Sequence, residues 1–400
     1  MVTKLSNGLK IIHKKTSGNA ATVHITVGVG SINEKEGEKG YSHFVEHMLF
    51  EGTTNRPDAE KITSIVENVG GEINAMTSNE LTTYYVKTLG KHVEKAIDVL
   101  SDMIKNPLFA KEKVAKEARV ISEEIKMILD QPRYYQWLVF EKALFEKTPY
   151  ETPVYGLVDD VMNATPESLQ KYYQKHYTPD NCIITIVGNV DNIEKLVSQY
   201  FEDWKGSIQD EKEKEVITIP NNITREVSEK KQISQLYIIH GCVTPNILTK
   251  DAAVFDIIEA LLGRSQSGWI NDSIRNKHGL GYDVGVTYET LLNFGFFAIN
   301  VGTEINNKEK VLKLIKEVIA RLETVTEDEL NIAKQYVEGQ TLLEIENTSR
   351  HADILSYWTR VSGKDMTSEY LKKVFSVTTK EIADISKKYF EKMTTITITP

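Results

Sequence analysis

The 400-residue sequence is short of the features that mark several broad protein classes. It holds two cysteines, Cys182 and Cys242, neither in a CxxC pair, which excludes a disulfide framework. Two buried, inert thiols in a cytosolic protein are the expectation; a single bridge between them is the alternative. No apolar run approaches the roughly 18 residues of a membrane span. The opening stretch, MVTKLSNGLKIIHKK, has no secretory apolar core, and its Leu-Lys-Ile-Ile reads as a strand after an Asn7-Gly8 turn. The sequons at Asn163, Asn222, Asn271 and Asn347 therefore carry little weight. A basic excess is missing too: 48 Lys and Arg face 57 Asp and Glu, a net charge of −9. Such a chain lacks the footprint of a nucleic-acid binder and is repelled by anionic lipid. A cytoplasmic protein with neither nucleic-acid nor membrane partners is expected.

What is present suits packed cores. Hydrophobic residues make up 40% and charged residues 26%, and the length admits two or three domains at about 150 residues each. The β-branched runs Ala21–Val29, Asn181–Val187, Gln235–His240, Gly295–Val301 and Thr394–Thr399 read as strands. Helical period covers Lys111–Asp130, Lys308–Leu322 and Glu327–Glu346, and Thr165-Pro166-Glu167-Ser168 is a helix start. The mixed-charge stretch Gly206–Thr224 reads as a solvated linker with some strand character at Val216–Ile219. On either side of it the chain repeats. Thr165–Gly188 and Thr378–Pro400 both run capped helix, turn, β-branched strand, and Lys95–Asp130 matches Lys310–Glu346 in layout. Two related α+β units follow, with expected bounds 1–208, linker 209–224 and 225–400.

Gly40–Gly52 reads GYSHFVEHMLFEG. On a helix, His43, Glu46 and His47 leave one face, one turn apart, so two imidazoles can chelate one Zn²⁺ beside a carboxylate. Two surface or core histidines would produce the same pattern, and the motif alone leaves both readings open. A catalytic zinc needs a third ligand, and the acid-rich helix EKVAKEARVISEEIKM offers Glu117 and Glu124, two turns apart on one face. Most acids on such a helix are simply solvated.

His43-x-x-Glu46-His47 followed by Glu124 resembles the inverted zinc-peptidase motif of the pitrilysin, insulin-degrading enzyme and mitochondrial processing peptidase family. Glu117-Ala-Arg-Val-Ile-Ser-Glu-Glu124 is similar to that family's acid segment, and Gly70–Tyr85, with Asn74-Ala75, to its substrate strand. Arg275 and Tyr282 in RNKHGLGYDV resemble its substrate clamp. Ser42 and Ala118 depart from the commonest pattern without removing a catalytic group. The resemblance covers the chain in order and implies a half-length, two-domain member of bacterial or archaeal type, similar to the processing peptidase beta subunit. Each domain would be a mostly antiparallel sheet packed against helices.

The resemblance implies that His43, His47 and Glu124 hold one zinc per chain, that Glu46 is the general base, and that Glu117 fixes a ligand histidine. Asn74 and Ala75 would bind the backbone of an extended peptide added to their strand, and Tyr282 with Arg275 would stabilise the developing oxyanion. The implied activity is zinc metalloendopeptidase cleavage of unstructured or presequence-like peptides. The competing reading is a non-catalytic core or scaffold subunit of the same fold. Laid on Gly40–Gly52 without gaps, Asp251–Gly263 puts Val254, Ile257 and Ile258 opposite His43, Glu46 and His47, with Gln340 roughly opposite Glu124. The second copy is therefore expected to hold no zinc. Full-length members of the family close a chamber with four such units. Two units per chain imply a homodimer, the alternative being a heterodimer with an inactive paralogue.

Overall fold

The computed structural model describes residues 2–206, 217–218 and 220–400. Of the expected strand at Val216–Ile219, Val216 and Ile219 lie outside the described residues with most of the linker, while Ile217, Thr218 and Asn221–Thr224 carry no helix or strand. The chain forms two compact units. The first comprises the described residues of Met1–Lys126, Thr152–Val216 and Leu343–Asp365; the second comprises those of Met127–Glu151, Ile217–Leu342 and Met366–Pro400. Each half of the sequence thus contributes one helical segment to the sheet of the other half, an interleaving that contiguous bounds do not express.

In the first unit, β1 (Val2–Lys4), β2 (Lys10–Lys14), β3 (Ala20–Val27), β4 (Glu72–Thr77), β5 (Thr82–Leu89) and β6 (Cys182–Gly188) form one sheet in the order β1-β2-β6-β3-β5-β4. In the second, β7 (Arg225–Lys230), β8 (Leu236–Pro245), β9 (Asp283–Thr290), β10 (Phe294–Thr303) and β11 (Thr394–Thr399) follow the order β7-β11-β8-β10-β9. The two orders superimpose when β2, β6, β3, β5 and β4 are matched with β7, β11, β8, β10 and β9. In both, one parallel pair (β2 with β6, β7 with β11) sits in an otherwise antiparallel sheet. The repeat read from Thr165–Gly188 and Thr378–Pro400 is therefore a repeat of topology.

The central strands are buried along almost their whole length because both faces are covered. In the first unit, α1 (Tyr41–Glu51), α2 (Ala59–Glu67), α3 (Val93–Lys105), α4 (Lys111–Asp130) up to Lys126, α6 (Val158–Asn163), α7 (Pro166–His176) and α8 (Ile193–Phe201) accompany the sheet, and α1 and α3 bury Phe44, Met48, Ile97 and Leu100 in its main core. The opposite face receives α13 (Thr348–Ser362), whose Ala352 and Leu355 meet Ile12, Ile183 and Val187. Polar pairs join them: Thr22 with Thr348 at 2.7 Å and Thr185 with Ser356 at 2.8 Å. In the second unit that place is taken by α5 (Pro132–Leu144), where Trp137 and Phe140 pack on Phe296. On the same helix Tyr134 is exposed. Cys182 and Cys242 are both free and buried. No described helix is long and apolar enough to cross a membrane.

The two repeat helices, α7 and α15 (Thr379–Tyr389), begin with reciprocal caps. Thr165 Oγ1 accepts from the Ser168 amide at 3.2 Å, and Thr378 Oγ1 from the Glu381 amide at 3.2 Å. Each satisfies an amide the helix itself leaves unpaired. Thr165→Ala and Thr378→Ala should each lower stability by about 1 kcal/mol in urea denaturation. Losses below about 0.3 kcal/mol would show that the caps do not hold these helices.

Candidate metal centre

Helix α1 is buried on every side except one stripe, where His43, Glu46, His47 and Phe50 are half-buried. Its N-terminus has no side-chain cap of its own. The buried Glu34 caps it from outside, accepting the amides of Gly40 and Ser42 at 2.8 Å each. Burial pushes the Glu34 carboxyl up to about 7 against the pull of those amides. Gly40 (φ +98°) passes so close to Tyr155 and Gly156 that a Cβ would sit 2.7 Å from the Tyr155 carbonyl oxygen. Only glycine meets both conditions without strain.

Helix α4 approaches this stripe with Glu117 and Glu124. Glu117 is buried and bridges two elements: its Oε2 lies 3.0 Å from His47 Nδ1 and its Oε1 lies 3.1 Å from Lys116 Nζ. Lys116 also reaches Glu51 Oε1 at 2.9 Å, at the negative end of α1. With Nδ1 donating to Glu117, His47 turns its Nε2 lone pair toward His43 and Glu124. The spacings are His47 Nε2 to His43 Nε2 3.3 Å, His47 Nε2 to Glu124 Oε2 3.6 Å and His43 Nε2 to Glu124 Oε2 4.0 Å. Ligand bonds of ~2.0–2.2 Å in a tetrahedron separate ligand atoms by roughly 3.3–3.6 Å. Two of the three spacings fall in that range and the third, His43 to Glu124, is 0.4 Å wider, so two nitrogens and one carboxylate oxygen suit zinc once Glu124 moves slightly inward, with one position left over. Among the described residues this is the one group of three or more such side chains able to hold a metal ion.

The electrostatics separate the two histidines. Burial, reinforced by His47, lowers His43 to about 4, so it is a neutral ligand at physiological pH. Burial would lower His47 as well, but the Glu117 hydrogen bond and the nearby Glu124 and Glu46 outweigh it and raise the imidazole above its usual 6.5. Glu117 is held below the ordinary carboxylate range, first by its His47 hydrogen bond. Glu46 is raised by burial, with Glu124 adding to it.

Of the residues read from the sequence, His43, Glu46, His47, Glu117 and Glu124 come together here. Asn74 and Ala75 lie on β4, an edge strand of the same unit, whose residues alternate between exposed and half-buried. Arg275 and Tyr282 belong to the second unit. Arg275 sits in a π-helical turn, Asp272–Lys277, that follows the short α10 (Trp269–Asn271). Tyr282 is 82% exposed, beyond the turn at Gly279 (φ +62°). In α9 (Lys250–Gly263), Val254, Ile257 and Ile258 are core residues. Two contacts escaped the sequence reading. One is Glu34, for which no spacing rule exists. The other is Thr77, whose hydroxyl donates to Glu46 Oε2 and which the period of two from Ala75 could have placed on the inner face.

The chain is similar to known proteins. Residues 10–156 match the family model for insulinase (peptidase family M16), and residues 163–337 match that for the peptidase M16 inactive domain. An uncharacterized zinc protease of Bacillus subtilis is 30% identical over 349 residues, covering 86% of this chain and 84% of the relative. The mitochondrial-processing peptidase subunit beta of Dictyostelium discoideum is 29% identical over 374 residues, 87% of this chain and 77% of that one. The crystal structure of a Helicobacter pylori protease shares the fold with a TM-score of 0.90 at 22% identity, covering 100% of this chain and 99% of that one.

Loss of the Glu117 contact should loosen the metal site. Glu117→Gln is expected to weaken zinc binding about 10–100-fold in competition with a chelating dye; a change under about 3-fold would overturn the assignment. A metal ligand must be deprotonated, so zinc affinity should fall as pH drops through the raised His47 value, above 6.5, whereas His43 contributes only near 4. Proton release on zinc binding, followed calorimetrically in several buffers, checks this order.

Proposed function

The chain belongs to peptidase family M16, and on that premise we propose that it is a zinc metalloendopeptidase hydrolysing peptide bonds in extended, unstructured or presequence-like segments. The observation that carries the reading is the convergence of His43, His47 and Glu124, with Glu46 beside them on the same helix face. When bound, zinc polarises a carbonyl and brings the pKa of water from 15.7 to about 7.

The chain's own residues supply the rest. Glu46, raised by burial, is matched to take a proton from the attacking water and pass it to the leaving amine. Glu46 shares the helix stripe of His43 and His47, so it would lie beside a bound zinc as a base rather than a ligand. Glu117 keeps the His47 ring oriented. Strand β4 presents an open sheet edge, so a substrate joins as an added strand through its main chain. Folded proteins cannot offer that, which restricts the substrates to flexible segments. For Arg275 and Tyr282 the resemblance supports oxyanion stabilisation. A homodimer, in which the second unit of one chain serves the metal centre of the other, accounts for one chain carrying both sets; a heterodimer is the alternative. Two free buried thiols support a cytoplasmic location.

Glu46→Gln should keep one zinc per chain and lose at least about 10²-fold in turnover of a flexible quenched peptide. Chelation should abolish turnover and zinc should restore it. A Glu46→Gln protein as active as wild type, or activity that survives full metal removal, would remove the peptidase reading.

A further inference from the structure

The residues around Glu46 decide which of its oxygens can work. Along β4, Ile73, Ala75 and Thr77 are half-buried while Glu72, Asn74 and Met76 face outward. Ile73 and Ala75 pack against the core beneath α1. Thr77 is the last residue of that inner row, and its hydroxyl donates to Glu46 Oε2. The contact joins two elements 31 residues apart in the chain.

We propose that Thr77 is a positioning residue for Glu46: its hydroxyl occupies Oε2 and turns Oε1 to the attacking water. This inference rests on the peptidase reading above and deepens it. A carboxylate on a helix rotates about three side-chain torsions, and a single fixed hydrogen bond to one oxygen removes most of that freedom. General-base work needs the accepting oxygen within about 3 Å of the proton it takes, and small misplacements are costly. The strand that orients the base is also the strand that receives the peptide. Thr77 lies two residues, about 7 Å, beyond Ala75, whose amide is bonded at 2.8 Å by the Asn74 side chain. The aim of Glu46 is thereby tied to the strand proposed to receive the peptide. A valine at this position keeps the β-branched shape and loses only the hydroxyl; a serine keeps the hydroxyl.

The test uses the zinc-loaded full chain and a flexible quenched peptide. In Thr77→Val, kcat should fall about 10–100-fold with KM within about 3-fold of wild type. Thr77→Ser should recover most of kcat. Zinc stoichiometry and affinity, read by chelator competition, should be unchanged in both. Thr77→Val with kcat within about 3-fold of wild type overturns the inference, as does equal impairment of the valine and serine variants, which would make the role one of packing. Glu46→Gln in the same assay separates the two layers. If it is as active as wild type, the peptidase reading itself fails; if it is inactive while Thr77→Val is unaffected, only the role of Thr77 falls.

Discussion

The structure of the site depends on one contact, the 3.0 Å approach of His47 Nδ1 to Glu117 Oε2 where α1 meets α4. Glu46, Glu117 and Glu124 crowd two imidazoles at a half-buried surface, and without a cation such a cluster repels itself. The Glu117 bond opposes that repulsion in three ways. It lowers Glu117, raises His47, and leaves His47 Nε2 aimed at the same point as His43 Nε2 and Glu124 Oε2. A divalent ion placed there neutralises most of the remaining charge. The arrangement exists in the folded chain and not in an unfolded one, which is the condition under which metal binding adds to folding stability.

The duplicated topology sharpens this point. Both units carry the same order over five strands, and α1 and α9 each follow a matched strand, β3 and β8. In one copy the helix face carries His43, Glu46 and His47; in the other, Val254, Ile257 and Ile258 fill that face and are buried. A helix face can complete a core or present titratable groups to a cleft, and here one fold does each once. The second helix gains packing. The first gives up apolar burial along one stripe and needs compensation at both ends.

Much of the fold was legible because its signals are local. Lys111–Asp130 and Glu327–Glu346 form α4 and α12 with the bounds that periodicity and Pro132 suggest. Thr165 and Thr378 cap their helices because a hydroxyl three residues from an amide needs no distant partner. The shared face of His43 and His47 was legible since i, i+4 residues carry their geometry with them, whereas the choice of Glu124 from its acid-rich helix came from the family resemblance. What stayed hidden is long-range. The placement of residues 127–151 and 343–365 with the opposite sheets depends on which apolar faces find each other, and nothing in either helix's own pattern encodes its partner. Glu34 and Thr77 act on α1 from other elements; the strand period gives the face of Thr77 but not its partner, and no spacing points to Glu34.

Those hidden contacts explain how α1 can carry a polar stripe and remain fixed. At its N-terminus Glu34 holds two amides that the helix leaves unpaired, and Gly40 and Gly156 let the entering backbone pass in direct contact. At its C-terminus, Lys116 on α4 meets Glu51, the last residue of the helix, where positive charge is favoured. Between these ends Phe44, Val45, Met48 and Leu49 anchor the opposite face in the core. A helix fastened at three places cannot rotate to bury its histidines. The orientation of the His43, Glu46 and His47 stripe is thus fixed during folding, by contacts at both ends of the helix and along its buried face.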